Sequence, residues 1–422
     1  MTATEAPAEG YPVLAVPADG IPEVVDSAEG LAATRAALLA GTGPLALDTE
    51  RAQGYRYTAK AYLIQARREG SGTHLIDPIA FEGGRDRADF SDLAAELSDV
   101  EWILHAASQD LPCLAEVRFL PTRLFDTELA ARLLGLPKVS LGALMEHACG
   151  ITLLKEHSAA DWSRRPVPQE WLAYAALDVE RLAELREWLI VQLEASGKLE
   201  WAHQEFAYLA EHAADPPHPR KDPWRRTTGL HTLHTPMALN VVRELWQTRE
   251  ELAEAEDRAP GRVVPDRAIT ELAARVDAER RPALTRADLR SVRGFSNRVA
   301  ARHEARWLAA LERAAATPRS ELPPRNSSPD GPPMPRSWER RWPSSFARFN
   351  RVRPALIEKA AALEVPVENL LSPDHLRRLL WDSSDTTDAA TVDATLASFG
   401  ARAWQREIVV PVITRLWSGP PS

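Results

Sequence analysis

Short apolar runs and helical stretches alternate over about residues 21 to 195 of the chain. The runs typical of buried strands are LALDT, AYLIQAR, THLIDP and EWILHA. Around them, apolar residues recur at helical spacing, most clearly in the long stretch from Pro168 to Leu193. Strands interleaved with helices predict an α/β domain in which helices cover a mixed sheet. The first three runs have little helical pattern between them, which predicts an antiparallel meander.

The strand pattern disappears beyond about residue 200, and the rest of the chain is predicted to be helical. Helical periodicity covers 236–316 and returns over 337–422, where an apolar opening helix and a short helix starting at Pro-Asp echo the first region. The polar, basic stretch 217–235 is a connector, and 317–336, dense in Pro and Ser, is typical of a linker. Residues 1–20, rich in Ala, Pro, Glu and Gly, are predicted to be a disordered tail.

Length and charge bear on the number and kind of domains. At 422 residues the chain exceeds the usual size of a single hydrophobic core, so two or three domains are expected. Residues 1–216 carry 18 Lys and Arg against 34 Asp and Glu, whereas residues 217–422 carry 33 against 26. An acidic half followed by a mildly basic half fits a catalytic module joined to modules that bind a polyanion. The charge distribution alone is explained equally well by chance variation of the surface residues.

Cysteine content and the N-terminal sequence bear on the compartment. The two cysteines, Cys113 and Cys149, lie in apolar helical segments, which argues against a disulfide framework and favours buried structural thiols. The N-terminal sequence has neither the basic stretch nor the apolar run of a secretory signal. Nowhere is there an apolar run long enough to span a bilayer. We therefore expect a cytoplasmic protein with no membrane partner.

The sequence LALDTE contains the first residues of a candidate metal site. Because side chains alternate along a strand, the buried run places Asp48 and Glu50 on the same face at its end. Two carboxylates side by side repel each other, and burying them unpaired costs several kcal/mol. A divalent cation removes that cost, and hard oxygen ligands favour Mg²⁺ or Mn²⁺ over zinc.

Asp110 in HAASQDL, and Tyr174 with Asp178 in YAALD, complete the candidate set. Residues four apart on a helix share a face, so Tyr174 and Asp178 lie one turn from each other. A tyrosine hydroxyl beside a metal-binding carboxylate can orient a water molecule, although its ordinary pKa of about 10 makes it a poor base alone. Taken alone, this Tyr-x-x-x-Asp pattern is more typical of a packed tyrosine and a solvated aspartate. Its combination with Asp48, Glu50 and Asp110 reverses that preference.

These motifs resemble those of the DEDD superfamily of 3′–5′ exonucleases, with LALDTE similar to the first motif, HAASQDL to the second and YAALD to the third. One branch of that superfamily has histidine five residues before the last aspartate, where this chain has Ala173. The other has tyrosine four residues before it, at Tyr174 here. Within the tyrosine branch, AYLIQ, THLIDP and the stretch 151–182 resemble the ribonuclease D family in order and spacing. The helical region 236–316 is similar to an HRDC domain, and 337–422 matches a second, divergent one in position only.

The resemblance implies a fold and a mechanism. The fold is an α/β exonuclease domain over 21–216, with a ribonuclease H-like mixed sheet and helices, followed by all-α HRDC-like domains. The mechanism uses two divalent metal ions, Mg²⁺ or Mn²⁺. The implied metal ligands are Asp48, Glu50, Asp110 and Asp178. Tyr174 is implied to position the attacking water, so all five residues are candidate catalytic residues.

The resemblance also implies a substrate. It predicts an exoribonuclease that acts on RNA 3′ ends and releases nucleoside 5′-monophosphates, with tRNA precursors favoured among structured RNAs. A 3′–5′ DNA exonuclease acting in repair is an alternative, because the same site serves both nucleic acids. A non-catalytic RNA-binding scaffold is an alternative of another class. Its expected signature is loss of an acidic position, and all four positions are acidic here.

Other polar residues have weaker claims to a function. His105 is predicted to be a satisfied core histidine rather than a support for the second motif. Lys155, Arg164 and Arg165 precede the helix of the third motif, where they either contact a phosphate or are ordinary surface charges. Tryptophans and arginines of the C-terminal half offer stacking and phosphate contacts, but helical spacing favours core positions for the tryptophans. These residues, none assigned to a site, are Trp224, Arg225, Arg226, Trp246, Arg293, Arg298, Arg302 and Trp307.

Overall fold

The structure is a computed structural model that describes residues 10–84, 87–154, 159–216, 221–279, 283–325, 331–381 and 387–417. Within these ranges the strands are β1 (Val13–Leu14), β2 (Val24–Val25), β3 (Thr42–Arg51), β4 (Ala61–Glu69), β5 (Gly72–Ile76), β6 (Glu101–Leu104), β7 (Arg123–Asp126) and β8 (Thr152–Leu153). Six of them form one mixed sheet in the order β2-β5-β4-β3-β6-β7. β3 pairs antiparallel with β4, and β4 with β5, which confirms the predicted meander. β6 joins β3 in parallel on the other side.

Helices cover this sheet, as the alternating pattern predicted. They are α1 (Ala28–Ala40), α2 (Ser91–Glu96), α3 (Leu111–Glu116), α4 (Thr127–Leu133), α5 (Leu141–Cys149), α6 (Gln169–Glu180), α7 (Leu182–Ala195) and α8 (Leu199–Glu211). α6 contacts β3, β4 and β5, and α7 contacts β3 and β6. The N-terminal region is therefore an α/β domain with a mixed sheet, which confirms the predicted fold class.

The predicted disordered tail over 1–20 is wrong for residues 10–20. β1 pairs in parallel with β8, and the backbone N–H of Ala18 donates to Glu180 Oε1 at 2.9 Å. The composition of this segment indicated disorder. However, Val13 and Leu14 pair through their backbones with β8, which lies more than a hundred residues later in the chain. Residues 1–9 lie outside the described residues.

The C-terminal half is helical throughout its described part, as predicted. The first group of helices is α9 (Pro236–Ala255), α10 (Pro260–Val263), α11 (Asp266–Glu279), α12 (Arg286–Ser291) and α13 (Glu304–Ala316). The second group is α14 (Trp338–Arg341), α15 (Pro343–Ala362), α16 (Val367–Leu370), α17 (Pro373–Leu380), α18 (Ala389–Ser398) and α19 (Ala403–Trp417). Short 3-10 turns occur in the predicted connector and linker, at Pro223–Arg226, Leu230–Thr232, Arg319–Glu321 and Pro335–Ser337. None of the helices within the described ranges has the length and apolar character needed to cross a membrane.

Buried apolar side chains form clusters that do not follow the order of the chain. The largest cluster joins the mixed sheet to the second helical group, and it includes Trp102, Phe206, Trp338 and Trp404. The first helical group, α9 to α13, has a cluster of its own around Trp307. The second helical group is therefore built onto the N-terminal domain, whereas the first has a separate core.

Candidate metal centre

β3 and α6 together form the centre of the candidate site. Leu45 and Leu47 of β3 are fully buried, and the alternation of the strand turns Asp48 and Glu50 to the opposite face. α6 packs across this part of the sheet and brings Asp178 beside them. Single ligand atoms from Asp48, Glu50 and Asp178 all lie within 4.8 Å of one another. Three of the four acidic residues singled out by the sequence therefore come together from two distant segments.

The carboxyl groups of this cluster have raised pKa values. Burial is the largest cause, and it raises the pKa of Asp48 and Glu50 well above the usual range, with repulsion from neighbouring carboxylates adding to it. Burial likewise raises the pKa of Asp178 to about 7, although a hydrogen bond from the Tyr174 hydroxyl lowers it in part. A divalent cation favours the ionised form of every one of these groups. The cluster consists of oxygen donors alone, so it fits such a cation.

Tyr174 precedes Asp178 by one turn of α6, and its hydroxyl donates to the Asp178 carboxylate. Burial, followed by the negative charges of Asp178 and Glu50, raises the pKa of the Tyr174 phenol well above its ordinary value. The ring packs against Trp162, with 6.5 Å between the ring centroids. The phenol is therefore a protonated hydrogen-bond donor in a fixed position, and it is suited to orienting a group rather than to removing a proton.

Asp110 lies beside the cluster and is held by Thr49, the residue between Asp48 and Glu50. Thr49 Oγ1 donates to Asp110 Oδ1 at 2.6 Å. Burial raises the pKa of Asp110 to about 6, and the bond from Thr49 offsets part of that rise. Among the residues described, the group whose ligand atoms meet within 4.8 Å does not include Asp110. Its carboxylate is thus oriented by Thr49 next to the other three acidic residues.

Asp126 fixes the segment that leads to Asp110, and sequence reasoning missed it. Its buried carboxylate accepts hydrogen bonds from the backbone N–H groups of Ala106, at 3.1 Å, and Ala107, at 2.9 Å. The same carboxylate caps the first turn of α4. Ala106 has a φ of 59°, a left-handed conformation that a residue other than glycine adopts at a cost. The available cue was Asp126 directly before a helical stretch, which is typical of a helix N-cap.

Arg51, the last residue of β3, was also missed. Its guanidinium donates to the backbone carbonyl of Gln109 at 2.7 Å, which ties the end of β3 to the residue before Asp110. Its positive charge lowers the pKa values of Asp48, Glu50 and Asp110 and so opposes the effect of burial. A basic residue directly after the motif was the available signal.

Arg165 has a structural role at the segment before α6. Its Nε and Nη2 atoms contact the two carboxylate oxygens of Asp77 at 2.5 and 2.7 Å, and Nη2 also donates to the carbonyl of Tyr62 at 2.7 Å. Asp77 is 5% exposed, so this pair holds the segment against the sheet. Arg164 is exposed and faces solvent. Lys155 lies outside the described residues.

Among the remaining residues with weaker claims, the histidine and the tryptophans are core residues, whereas Arg226, Arg293, Arg298 and Arg302 are exposed. His105 Nδ1 lies 2.9 Å from Thr127 Oγ1, and burial lowers the pKa of His105 to about 4, as expected for a satisfied core histidine. Trp307 is fully buried and Trp224 is nearly so, while Trp246 is partly buried against the same cluster. The prediction that these tryptophans are core residues is confirmed.

Models of known families match three separate parts of the chain. A model described as 3′-5′ exonuclease matches residues 22–194, and the HRDC domain matches residues 238–311. A model described as 3′ to 5′ exonuclease C-terminal domain matches residues 331–416, the region whose position suggested a second HRDC-like domain. All five candidate site residues lie within the first match.

Two relatives that match most of the chain are both named ribonuclease D. Ribonuclease D of Acidiphilium cryptum is 31% identical over 363 residues, which cover 85% of this chain and 86% of that protein. Ribonuclease D of Granulibacter bethesdensis is 31% identical over 324 residues, covering 75% of this chain and 76% of the relative. The similarity therefore extends well beyond the catalytic motifs.

Solved structures show the same architecture. A protein from Bifidobacterium adolescentis superposes with a TM-score of 0.85 at 36% identity, covering 97% of this chain and 100% of that one. RNase D of Escherichia coli, an exoribonuclease involved in structured RNA processing, superposes with a TM-score of 0.65 at 25% identity, covering 95% of this chain and 99% of that one. Both matches include the helical C-terminal half.

The sheet, the acidic cluster and the matches along most of the chain agree with the resemblance that the motifs indicated. The protein is thus an enzyme that degrades RNA from the 3′ end, and its exonuclease family together with the acidic cluster indicates dependence on divalent metal. The chain belongs to the ribonuclease D family of 3′–5′ exoribonucleases.

Proposed function

We propose that the catalytic residues are Asp48, Glu50, Asp110, Tyr174 and Asp178, with the four acidic residues holding two divalent ions. The observation that carries this proposal is that ligand atoms of Asp48, Glu50 and Asp178 lie within 4.8 Å of one another, with Glu50 buried and the other two half-buried. Oxygen ligands alone favour Mg²⁺ or Mn²⁺. When bound, such ions lower the pKa of an attacking water and stabilise charge on the phosphate and on the departing 3′-oxygen.

The protein's own groups then orient the reactants. Tyr174 presents a protonated hydroxyl beside Asp178, where it orients the nucleophile for in-line attack on the terminal phosphodiester. Thr49 occupies one oxygen of Asp110 and leaves the other for a ligand. Arg51 favours the ionised carboxylates through its charge. Hydrolysis at this bond releases a nucleoside 5′-monophosphate.

The proposed substrates are the 3′ ends of structured RNAs, with tRNA precursors favoured. This proposal is supported by the relatives, since the E. coli enzyme takes part in structured RNA processing. The candidate site lies where α6 packs on β3, and a single strand is proposed to thread to it from the 3′ end. A paired stem therefore stops digestion and leaves a defined 3′ end.

We also propose a division into an exonuclease domain (21–216), an HRDC domain (236–316) and a second, divergent HRDC-like domain (337–422). The first long helix of each helical region has the same length, since α9 and α15 each have 20 residues. A single-turn helix follows in each, and then a helix begins at a Pro-Asp pair. In each, a residue of positive φ lies two positions after the opening helix, Asp257 at 42° and Glu364 at 52°. Both of these turns contact the exonuclease domain.

The proposed compartment is the cytoplasm, and the cysteines support it. Within the described part of the chain, Cys113 and Cys149 are both free thiols. Burial raises the pKa of Cys113 to about 12 and that of Cys149 to about 11. Because the thiolate is the reactive form, both groups are inert structural thiols of the kind found in reducing compartments.

Digestion of 5′-labelled single-stranded RNA tests the proposal, with Mg²⁺, Mn²⁺ or chelator and with the matching DNA. The expected result is a metal-dependent ladder that shortens from the 3′ end on RNA. Asp178→Asn and Asp48→Ala abolish the ladder and retain measurable RNA binding, whereas Glu170→Gln, an exposed change on the same helix α6, digests normally. Equal digestion of DNA favours the repair exonuclease, and survival of cleavage in Asp178→Asn contradicts the site assignment.

A further inference from the structure

Gln65 lies directly opposite Asp48 in the antiparallel pairing of β3 and β4. Opposed residues of antiparallel strands project from the same face of the sheet, with their Cβ atoms about 4.5–5.5 Å apart. α6, which carries Asp178, packs on this part of the sheet. Gln65 itself is fully buried. Its amide therefore lies beneath α6 and next to the acidic cluster.

Among the described residues, neither polar atom of the Gln65 side chain has a hydrogen-bond partner. Apart from Asp48 opposite it on β3 and Arg67 two residues further along β4, its neighbours on the same face are apolar, with Leu75 opposite it on β5 and Leu63 two residues before it on β4. An unpaired buried polar group costs about 1–3 kcal/mol, so an apolar side chain of similar size is more stable in this position. A buried amide without a structural partner, placed beside a candidate metal ligand, needs a functional explanation.

We propose that Gln65 is a positioning residue for Asp48. With divalent ions in the site, Gln65 Nε2 donates to a carboxylate oxygen of Asp48 and fixes the orientation in which that carboxylate binds. The neutral amide suits this place, because a lysine repels the ions and a further carboxylate repels Asp48. Removing a hydrogen-bond partner of a metal ligand typically lowers metal affinity or activity by roughly 10–100-fold. The inference rests on the proposed function of Asp48 as a metal ligand.

The test compares metal binding with the stability of the full-length protein in chelator. Gln65→Met and Gln65→Leu remove the amide and keep the volume close to that of glutamine. Leu63→Met is the matched control, since it places methionine on the same face of the same strand, opposite Glu50. We expect calorimetry to show Mg²⁺ affinity weakened about 10–100-fold in both Gln65 variants and unchanged in Leu63→Met. In chelator, both Gln65 variants melt at or above the wild-type temperature, because they remove an unpaired buried amide.

The outcomes separate this inference from the proposed function. If Asp48→Ala binds Mg²⁺ like the wild type, the proposed metal site itself is wrong. If Asp48→Ala loses binding while both Gln65 variants bind Mg²⁺ normally, the site stands and the role of Gln65 is overturned. If both Gln65 variants unfold in chelator, the amide has a structural partner there, and the role is overturned as well.

Discussion

One carboxylate oxygen of Asp257 accepts both the backbone N–H and the hydroxyl of Thr58, at 3.0 and 2.9 Å. The same oxygen accepts the backbone N–H of Tyr57 at 3.2 Å. Asp257 lies in the turn after α9, whereas Thr58 lies in the loop between β3 and β4. That loop directly follows the strand that carries Glu50. The HRDC region is therefore attached to the exonuclease domain beside the candidate site.

Asp257→Ala is expected to lower both stability and activity. It removes four hydrogen bonds to a carboxylate whose side chain is 35% exposed, the fourth being a long one from the Tyr62 hydroxyl at 3.5 Å, so we expect a loss of about 1–2 kcal/mol in the free energy of unfolding. Release of the loop before β4 loosens the end of β3, and the rate of RNA digestion falls. Denaturant unfolding and single-turnover digestion of labelled RNA measure the two effects.

Asp277 offers a matched control for the Asp257 change. Its carboxylate accepts the backbone N–H groups of His234, at 2.6 Å, and Thr235, at 3.1 Å, which directly precede α9 of the HRDC region, so neither bond involves the exonuclease domain. Asp277→Ala is expected to destabilise that region to a similar degree and to leave the single-turnover rate unchanged. Equal rates for the two variants would show that the Asp257 contact holds the domains together without positioning the site.

Thr49→Val is expected to reduce activity through Asp110. Valine keeps the shape of threonine and removes the hydroxyl that donates to Asp110 Oδ1. We expect the rate of RNA digestion to fall about 10–100-fold and the Mg²⁺ concentration for half-maximal rate to rise. Thr49→Ser keeps the donor and should restore most of the activity. Cys113→Ala, which removes a sulfur 3.2 Å from Thr49 Oγ1, is the packing control and should have a small effect.

The acidic cluster predicts a dependence of stability on pH that divalent metal reverses. The pKa of Asp178 is raised to about 7 and that of Asp110 to about 6, against about 3.9 for an aspartate in the unfolded chain. In chelator, the stability contributed by these groups is present in full below about pH 4 and is lost as the pH rises through about 6 to 7.

Ions bind the ionised carboxylates, so the stabilisation by Mg²⁺ increases over the same range of pH. Melting temperatures measured between about pH 5 and 8, with chelator and with excess Mg²⁺, should therefore diverge as the pH rises. If the melting temperatures with Mg²⁺ and with chelator differ by a constant amount across this range, the raised pKa values are contradicted. In Asp178→Asn, which has no carboxyl group at this position, the divergence should be much smaller.

Glu205 connects α8 to the second helical group, and its removal is expected to be strongly destabilising. Glu205 Oε1 accepts from Arg402 Nε at 2.8 Å and from Trp404 Nε1 at 2.9 Å, and the rings of Trp201 and Trp404 stack 4.7 Å apart. Glu205→Ala leaves a largely buried cation without its carboxylate, and we expect the free energy of unfolding to fall by about 3–5 kcal/mol. Denaturant unfolding measures this loss. Glu200→Ala, an exposed change on the same helix, should alter stability by less than about 0.5 kcal/mol.

Local patterns in the sequence were sufficient for the fold class and for most of the candidate site. The alternation of LALDTE already placed Asp48 and Glu50 on one face, and the spacing of four placed Tyr174 beside Asp178 on a helix. These relationships depend on the period of a strand or a helix, which a few neighbouring residues establish. The resemblance to a known family then linked Asp110 to them, and matches along most of the chain confirmed that family.

The tertiary structure decided which distant groups share a contact. It showed that Thr49 orients Asp110, that Gln65 lies opposite Asp48, and that Asp126 fixes the segment between β6 and α3. It also paired Val13 and Leu14 with β8 and joined the last helical group to the core of the exonuclease domain. No local pattern reports these features, because each depends on burial and hydrogen bonding between segments that the chain brings together only when it folds.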